Sequence, residues 1–166
     1  NDGDLFVEKM KAGEVCVAEF TTIVDTSWRK IPLLIADLKA PVDTDQFCMF
    51  TGHVDSWYYG AIDNGTANAA QMEVARLVSA HQKELKRNFR IVHYSGHSHG
   101  RYAGSAWYAD NFWEELHKSC VVNVNADSLG GKDAMDVQHS TIMPETMGLA
   151  VEVVRHQTGE QFEGLR

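Results

Sequence analysis

Three apolar runs in this sequence are each followed by histidine or aspartate residues. Imidazole and carboxylate groups are the ligands that zinc and similar divalent ions take in proteins. In an open α/β sheet, ligands gather beyond the carboxyl ends of the strands. If the three runs are strands of one sheet, these side chains open on the same rim, and the sequence predicts a metal site there. The candidates are His53, Asp55 and Asp63 after the first run, His97 and His99 after the second, and Asp127 after the third.

The elements that must position these residues alternate between strands and helices. The continuous apolar run at 47–50 is typical of a strand buried on both faces, and two further strands are predicted at 89–94 and 120–125. Apolar stripes with helical spacing lie in 64–85 and 105–116. Strands that alternate with helices predict parallel pairing through right-handed crossovers, so the fold class is α/β.

The rest of the chain extends this pattern. Residues 15–24 and 31–38 predict two strands, and the polar residues 25–30 between them predict a hairpin turn. Pro144 suits the first turn of a last helix. Four more side chains are expected in the core or at its boundary: His81, His93, Trp107 and Trp113.

The composition limits the class of protein and of partner. The chain has 166 residues, of which 44% are hydrophobic and 23% charged, which predicts one globular domain over residues 1–166. The formal net charge of −8 and the lack of a basic stripe exclude nucleic acid as a partner. No apolar run approaches the roughly 20 residues that a membrane helix needs, so no membrane span is expected.

The cysteines bear weakly on the compartment. Cys16, Cys48 and Cys120 lie within apolar, strand-like runs, and none has the CxxC spacing of a cysteine zinc site. An odd, scattered set also argues against a disulfide framework. We interpret them as buried, reduced thiols, which favours a reducing compartment and hence a cytoplasmic location.

Three motifs resemble those of the co-catalytic zinc aminopeptidases, a superfamily that includes bacterial leucyl aminopeptidases, glutamate carboxypeptidases and the transferrin receptor ectodomain. Gly-His-Val-Asp-Ser-Trp at 52–57 and Gly-Ala-Ile-Asp-Asn-Gly at 60–65 resemble its first signature. Asn-Ala-Asp-Ser-Leu-Gly at 125–130 resembles its later strand-end motif, and Gly104-Ser105 resembles the pair before its next helix. The resemblance implies a three-layer αβα sandwich with a mixed, mainly parallel sheet.

The resemblance also implies a role for each matching residue. His53 and Asp127 would bind a first zinc ion, and Asp63 would bridge it to a second. Asp55 would hold the geometry near His53, and Asn64 would shape the turn that delivers Asp63. One or two zinc ions would activate water for hydrolysis of the terminal bond of a peptide substrate. The implied enzyme is an exopeptidase, most simply an aminopeptidase.

The chain departs from the superfamily where a Glu-Glu pair normally supplies a general base and a ligand for the second metal. Counting back from Gly104-Ser105 puts Ser98 and His99 at those two positions. His99 is a credible ligand, whereas a serine hydroxyl cannot act as a base near neutral pH. His97 points to the same side as His99 if the segment is extended, which makes it a base or a further ligand. We expect His99, rather than His97, to face Asp63.

Residues next to these motifs suit a substrate site. Arg101 is a candidate to position a substrate carbonyl or carboxylate, and Trp57 and Tyr58 are candidates to line a pocket. Arg101 is equally consistent with a surface salt bridge, and the aromatic residues with a half-buried position.

Structural interpretations also remain open for the ligand candidates. Asp63 is suited to capping a helix, Asp127 to an ordinary turn, and His97 and His99 to a hydrogen-bonded pair. Two functional alternatives also stay open: a peptidase-like scaffold or binding domain without catalysis, and a hydrolase of non-peptide amides on the same metals.

The resemblance places a final strand and a final histidine ligand beyond Arg166. We therefore expect the sequence to be a fragment of its parent, to be inactive by itself, and to have an open sheet edge through which a homodimer can form.

Overall fold

The computed structural model describes residues 2–130, 136–137, 145–159 and 164–165. The predicted helix start at Pro144 lies outside the described residues. The chain divides into two units, Asn1–Lys30 and Ile31–Arg166.

The first unit consists of a helix and an irregular segment. Helix α1 covers Asp2–Lys11, with acidic residues in its first turn and basic residues in its last, an arrangement that stabilises a helix dipole. Residues 14–30 form neither helix nor strand, so the strand predicted at 15–24 and its hairpin are wrong. The side chains of Val15 and Ile23 are 93% and 99% exposed. An alternating apolar pattern forms a strand only where a partner strand and a core take up its apolar face.

The second unit contains a four-stranded sheet. Its strands are β1 (Leu34–Leu38), β2 (Phe47–His53), β3 (Asn88–Tyr94) and β4 (Cys120–Asn125), in the order β1-β3-β2-β4. β2 is parallel to both of its neighbours, β3 and β4, whereas β1 pairs with β3 in the antiparallel direction. The predicted α/β class with a mixed, mainly parallel sheet is confirmed.

The helices of the second unit differ from the predicted ones mainly in their ends. An irregular turn at Ala61–Thr66 precedes α2 (Ala67–Ala80), so the helix is shorter than the predicted 64–85. The predicted helix at 105–116 is two helices, α3 (Ala103–Asn111) and α4 (Trp113–Ser119). Short strands β5 (Asp136–Val137) and β6 (Gly164–Leu165) pair in parallel, and α5 covers Glu145–Thr158.

The helices cover opposite faces of the sheet. Met49 and Val92 pack against Tyr108 of α3 in the buried core. Gly52 faces the other side, where a side chain built on it would come within 2.9 Å of Gln71 of α2. Because successive strand residues point to opposite faces, α2 and α3 lie on different faces, which gives the predicted three layers.

Several side chains differ from their predicted burial. His93 is buried as expected, at 9% exposure. His81 is exposed because α2 ends just before it. Trp107 and Trp113 are 52% and 65% exposed and lie outside the core. Trp107 packs on Phe112, between α3 and α4, and Trp113 packs on His117 of α4.

All three cysteines are free thiols that are partly buried. Cys16 lies in the irregular segment of the first unit, outside any strand. Burial raises the pKa of the Cys120 thiol. Among the helices that the structure describes, none combines the length and apolar character that crossing a membrane requires.

Candidate metal centre

Four ligand-type side chains meet where the parallel strands end, and we call His53, Asp63, His97 and Asp127 the rim cluster. His53 is the last residue of β2, Asp127 follows β4, and His97 follows β3. Asp63 belongs to the irregular turn before α2. Because β2, β3 and β4 run parallel, their carboxyl ends bring these segments to one edge of the sheet.

The atoms of the rim cluster lie close together. His53 Nε2 is 2.8 Å from Asp63 Oδ1 and 3.2 Å from Asp127 Oδ1. His97 Nε2 is 4.0 Å from Asp127 Oδ2, and its ring stacks on that of His53 with 4.0 Å between centroids. In the part of the chain that the structure describes, the ligand atoms of His53, His97 and Asp127 all lie within 4.8 Å of one another. The structure thus brings His53 and Asp63, which the sequence placed after one strand, next to Asp127, which follows another.

The orientation of the His53 ring makes three acceptor atoms face each other. Its Nδ1 lies 2.7 Å from the carbonyl oxygen of Asp55, which only accepts, so Nδ1 carries the proton in the neutral ring. Nε2 then presents a lone pair to one oxygen each of Asp63 and Asp127. Asp63 Oδ1 is buried and, although 2.8 Å from Nε2, has no hydrogen bond among the described residues. Such a set is satisfied by a cation, either a second proton on the ring or a metal ion.

The donor set fits zinc or a similar divalent cation. Two imidazoles and two carboxylates are ligands of the type that zinc takes. The buried acceptor on Asp63 and the lone pair on His53 are what such an ion would satisfy. The rim cluster therefore fits the metal that the sequence predicted.

Asp55 connects the two histidine-bearing segments. Its backbone carbonyl faces the His53 ring, and its carboxylate accepts hydrogen bonds from the backbone N–H groups of His97 and Ser98, at 3.1 and 2.8 Å. Partial burial by itself raises the pKa of Asp55, but the N–H groups of His97 and Ser98 outweigh it and hold that pKa below its ordinary value. Asp55 therefore stays a carboxylate at neutral pH and fixes the backbone at His97.

Asn64 joins the loops that carry the ligands. Its side chain is buried, and its Nδ2 donates to the carbonyl oxygens of His53 and Ala126, at 3.2 and 3.3 Å. Its Oδ1 accepts from the backbone N–H of Ser128 at 3.0 Å. The sequence placed Asn64 in the turn that delivers Asp63, but it did not predict these contacts to the loop after β4.

Gly52 is a further residue that sequence reasoning missed. A side chain at this position would come within 2.9 Å of the carbonyl oxygen of Ala126, the residue before Asp127. The absence of a side chain lets the two loops approach. The available signal was a glycine directly before a histidine that the sequence predicted as a candidate ligand.

The structure places His99 away from the rim cluster. Its Nε2 lies 2.9 Å from the carbonyl oxygen of Ser56, and its ring contacts Trp57 with 4.3 Å between centroids. His97 and His99 were expected to point to the same side only in an extended segment, and the chain turns after Gly96 instead. The role of His99 as a metal ligand stays a prediction.

The residues predicted to contact substrate are exposed on the loops that follow β2 and β3. Trp57 and Tyr58 are 61% and 89% exposed. The guanidinium of Arg101 lies 4.9 Å from the ring centre of Tyr102, and Arg101 has no ion-pair partner among the residues described. Their substrate-binding roles stay predictions.

Comparison with known proteins identifies a family. Residues 34–163 match the family model described as Peptidase family M28. A probable glutamate carboxypeptidase of Zea mays is 26% identical over 114 residues, which cover 67% of this chain and 16% of the maize protein.

Two solved structures have a similar fold. The LapA aminopeptidase of Legionella pneumophila superposes with a TM-score of 0.64 and 20% identity, over 84% of this chain and 39% of that chain. A glutaminyl cyclase from an Acidobacteriales bacterium superposes with a TM-score of 0.65 and 19% identity, over 81% of this chain and 50% of that one. At such identities the likeness shows the fold alone. The present chain thus spans half or less of the length of these proteins.

Proposed function

We propose a metal-dependent peptidase function for this chain, which belongs to peptidase family M28 because the family model matches residues 34–163. One observation carries the proposal: His53 Nε2, Asp63 Oδ1 and Asp127 Oδ1 converge without a hydrogen-bond donor between them. The proposed ion is zinc, held by these three residues. The resemblance of 52–65 to the zinc aminopeptidases further favours an N-terminal peptide bond as the target.

The residues of the chain would organise this chemistry from three loops. A bound divalent ion lowers the pKa of water and polarises a substrate carbonyl. Asp55 holds the His53 ring through its carbonyl oxygen, so that Nε2 faces Asp63 and Asp127. Asn64 keeps the β2 and β4 loops together. Trp57, Tyr58 and Arg101 would contact the peptide.

The test is zinc-dependent hydrolysis. The natural polypeptide that carries this sequence is assayed with aminoacyl and C-terminal peptide substrates, while bound zinc is counted by mass spectrometry. We expect zinc to bind and aminoacyl substrates to be cleaved, and Asp63→Asn to abolish both. The 166-residue chain assayed beside it is expected to bind zinc without turnover.

A second candidate function is metal binding without catalysis, and Ser98 favours it. Ser98 stands where the zinc aminopeptidases place their general base, and its backbone N–H donates to Asp55. Bound zinc with neither kind of peptide cleaved would support this second function or a non-peptide amide as substrate. A polypeptide that binds no zinc would overturn the metal site itself.

A further inference from the structure

We infer that His97, rather than His99, completes the metal site, so that one ion is held by His53, Asp63, His97 and Asp127. The inference rests on the proposed metal binding but does not depend on peptide turnover. It departs from the prediction made by counting back from Gly104-Ser105, in which His99 supplies the ligand.

The first argument for this assignment is the position of His97 Nε2. His97 Nε2 is 4.0 Å from Asp127 Oδ2, and within 4.8 Å of the ligand atoms of both His53 and Asp127. Bonds of about 2.0–2.2 Å to a tetrahedral zinc set neighbouring ligand atoms roughly 3.2–3.6 Å apart. The 4.0 Å from His97 Nε2 to Asp127 Oδ2 thus exceeds this spacing by roughly 0.4–0.8 Å.

The backbone of His97 is fixed for this role. Its N–H donates to Asp55 Oδ1 at 3.1 Å, and the same Asp55 holds Nδ1 of His53 at 2.7 Å through its carbonyl oxygen. One residue thereby sets the positions of both histidine-bearing segments. The side chain of His97 is 33% exposed, its ring contacts His53 and Tyr102, and its Nε2 lies 4.0 Å from Asp127 Oδ2.

The contacts of His99 argue against a role as a metal ligand. Its Nε2 already faces the carbonyl oxygen of Ser56 at 2.9 Å, and its ring packs on Trp57. A role at the metal would require both contacts to break and the turn after Gly96 to be rebuilt.

The number of ligands has a consequence for stoichiometry. Two imidazoles and two carboxylates fill a four-coordinate zinc site. Among the residues that the structure describes, no other group of His, Cys, Asp or Glu side chains gathers three ligand atoms for a second ion. We therefore expect one ion per chain.

Cobalt(II) spectroscopy of cysteine variants tests the ligand assignment. In the 166-residue chain, His97→Cys should bind Co²⁺ and show a thiolate-to-cobalt charge-transfer band in the near ultraviolet, because cysteine is itself a ligand. His99→Cys and the surface variant His81→Cys contain the same number of cysteines and should show no band. The band reports direct contact with the metal, which a merely structural role of His97 does not produce.

Zinc affinity gives a second measurement. His97→Ala should weaken zinc binding by more than roughly 100-fold, because removing a residue that only orients a ligand already costs about 10–100-fold. His99→Ala should stay within a few-fold of the parent chain. A band in His99→Cys with none in His97→Cys, or equal affinities in the two alanine variants, would overturn the inference while leaving the proposed function intact. A parent chain that binds neither Co²⁺ nor Zn²⁺ would overturn both.

Discussion

Two groups of acidic side chains lie at opposite ends of the sheet. They differ in the source of the positive charge that balances their carboxylates. At the rim, Asp63 and Asp127 face the imidazole of His53. At the other end, Asp37 and Glu115 surround the guanidinium of Arg90, and we call these three residues with Tyr108 the Arg90 cluster. Arg90 pairs with Met49 in the sheet and Tyr94 with His53, so the clusters are about 13 Å apart along the strands.

The Arg90 cluster contains its own cation. Arg90 is buried and donates to Asp37 at 2.7 Å, to Glu115 at 2.8 Å and to the hydroxyl oxygen of Tyr108 at 3.0 Å. Burial alone lowers the pKa of Arg90, but the hydrogen bonds to Glu115 and Asp37 outweigh it and raise the pKa above its ordinary value. A cavity of about 500 Å³ opens beside this cluster, and none of the rim residues line it.

The difference teaches how to distinguish structural from functional carboxylates in this protein. Where a guanidinium donates hydrogen bonds to the acceptors, the cluster stabilises the fold and requires no bound ion. Where acceptors converge around a histidine whose proton is already committed, the cluster has a place for an imported cation. This cavity thus lies beside the structural cluster, whereas the candidate metal site lies at the rim.

Removal of the Arg90 guanidinium is expected to have the largest effect on the free energy of unfolding. Arg90→Met leaves Asp37, Glu115 and Tyr108 without their donor and should lower the free energy of unfolding by about 3 kcal/mol. This is the low end for buried pairs because the carboxylate partners are 32% and 41% exposed. Urea unfolding measures the loss.

The matched control is Arg76→Met, which removes an exposed arginine bound to Glu73 through two hydrogen bonds. Surface pairs of this kind contribute about 0–1 kcal/mol. Equal losses in the two variants would contradict a structural role for the Arg90 cluster.

At the rim, replacing Asp127 should change the free energy of unfolding with opposite signs in the absence and in the presence of metal. Asp127→Asn removes a negative charge and places an amide donor near His53, so without metal we expect the chain to gain about 1 kcal/mol. With zinc at 100 times its dissociation constant, the unchanged chain should gain about 2.7 kcal/mol, and the variant should lose most of this gain. Urea unfolding with chelator and with zinc compares the two states. A variant that is less stable in both would mean that Asp127 is structural, like the Arg90 cluster.

A smaller effect is expected at His93, which is buried and whose Nε2 has no hydrogen-bond partner among the described residues. Burial lowers the pKa of His93 below its ordinary value of 6.5. The unfolded chain therefore binds this proton first, so stability falls as the pH drops below about 6.5 and is unaffected above it. His93→Leu should remove that contribution, at most about 1.4 kcal/mol per pH unit. Unfolding at about pH 7.5 and 5.5 measures it, and an unchanged slope in the variant would assign the acid sensitivity to other groups.

The sequence by itself determined the sheet and the residues on its rim. The run at 47–50 is continuous and apolar because β2 is buried along most of its length, and such a run can be recognised without partners. The motif at 52–65 placed His53 and Asp63 at one strand end. Parallel order then made Asp127 their neighbour, since equivalent strand ends of a parallel sheet share an edge.

Tertiary structure decided whatever depends on partners distant in sequence. The pattern at 15–24 predicted a strand, but the structure has none there, and Val15 and Ile23 are almost fully exposed. The amphipathic pattern of the helices did not reveal that Trp107 and Trp113 lie outside the core.

The choice between His97 and His99 was beyond the sequence for the same reason. Both residues are imidazoles two positions apart, and counting from Gly104-Ser105 favoured His99. The turn after Gly96, together with the hydrogen bonds from His97 and Ser98 to Asp55, directs His97 to the rim. Those bonds join residues more than 40 positions apart, and only the folded chain brings them within reach of each other.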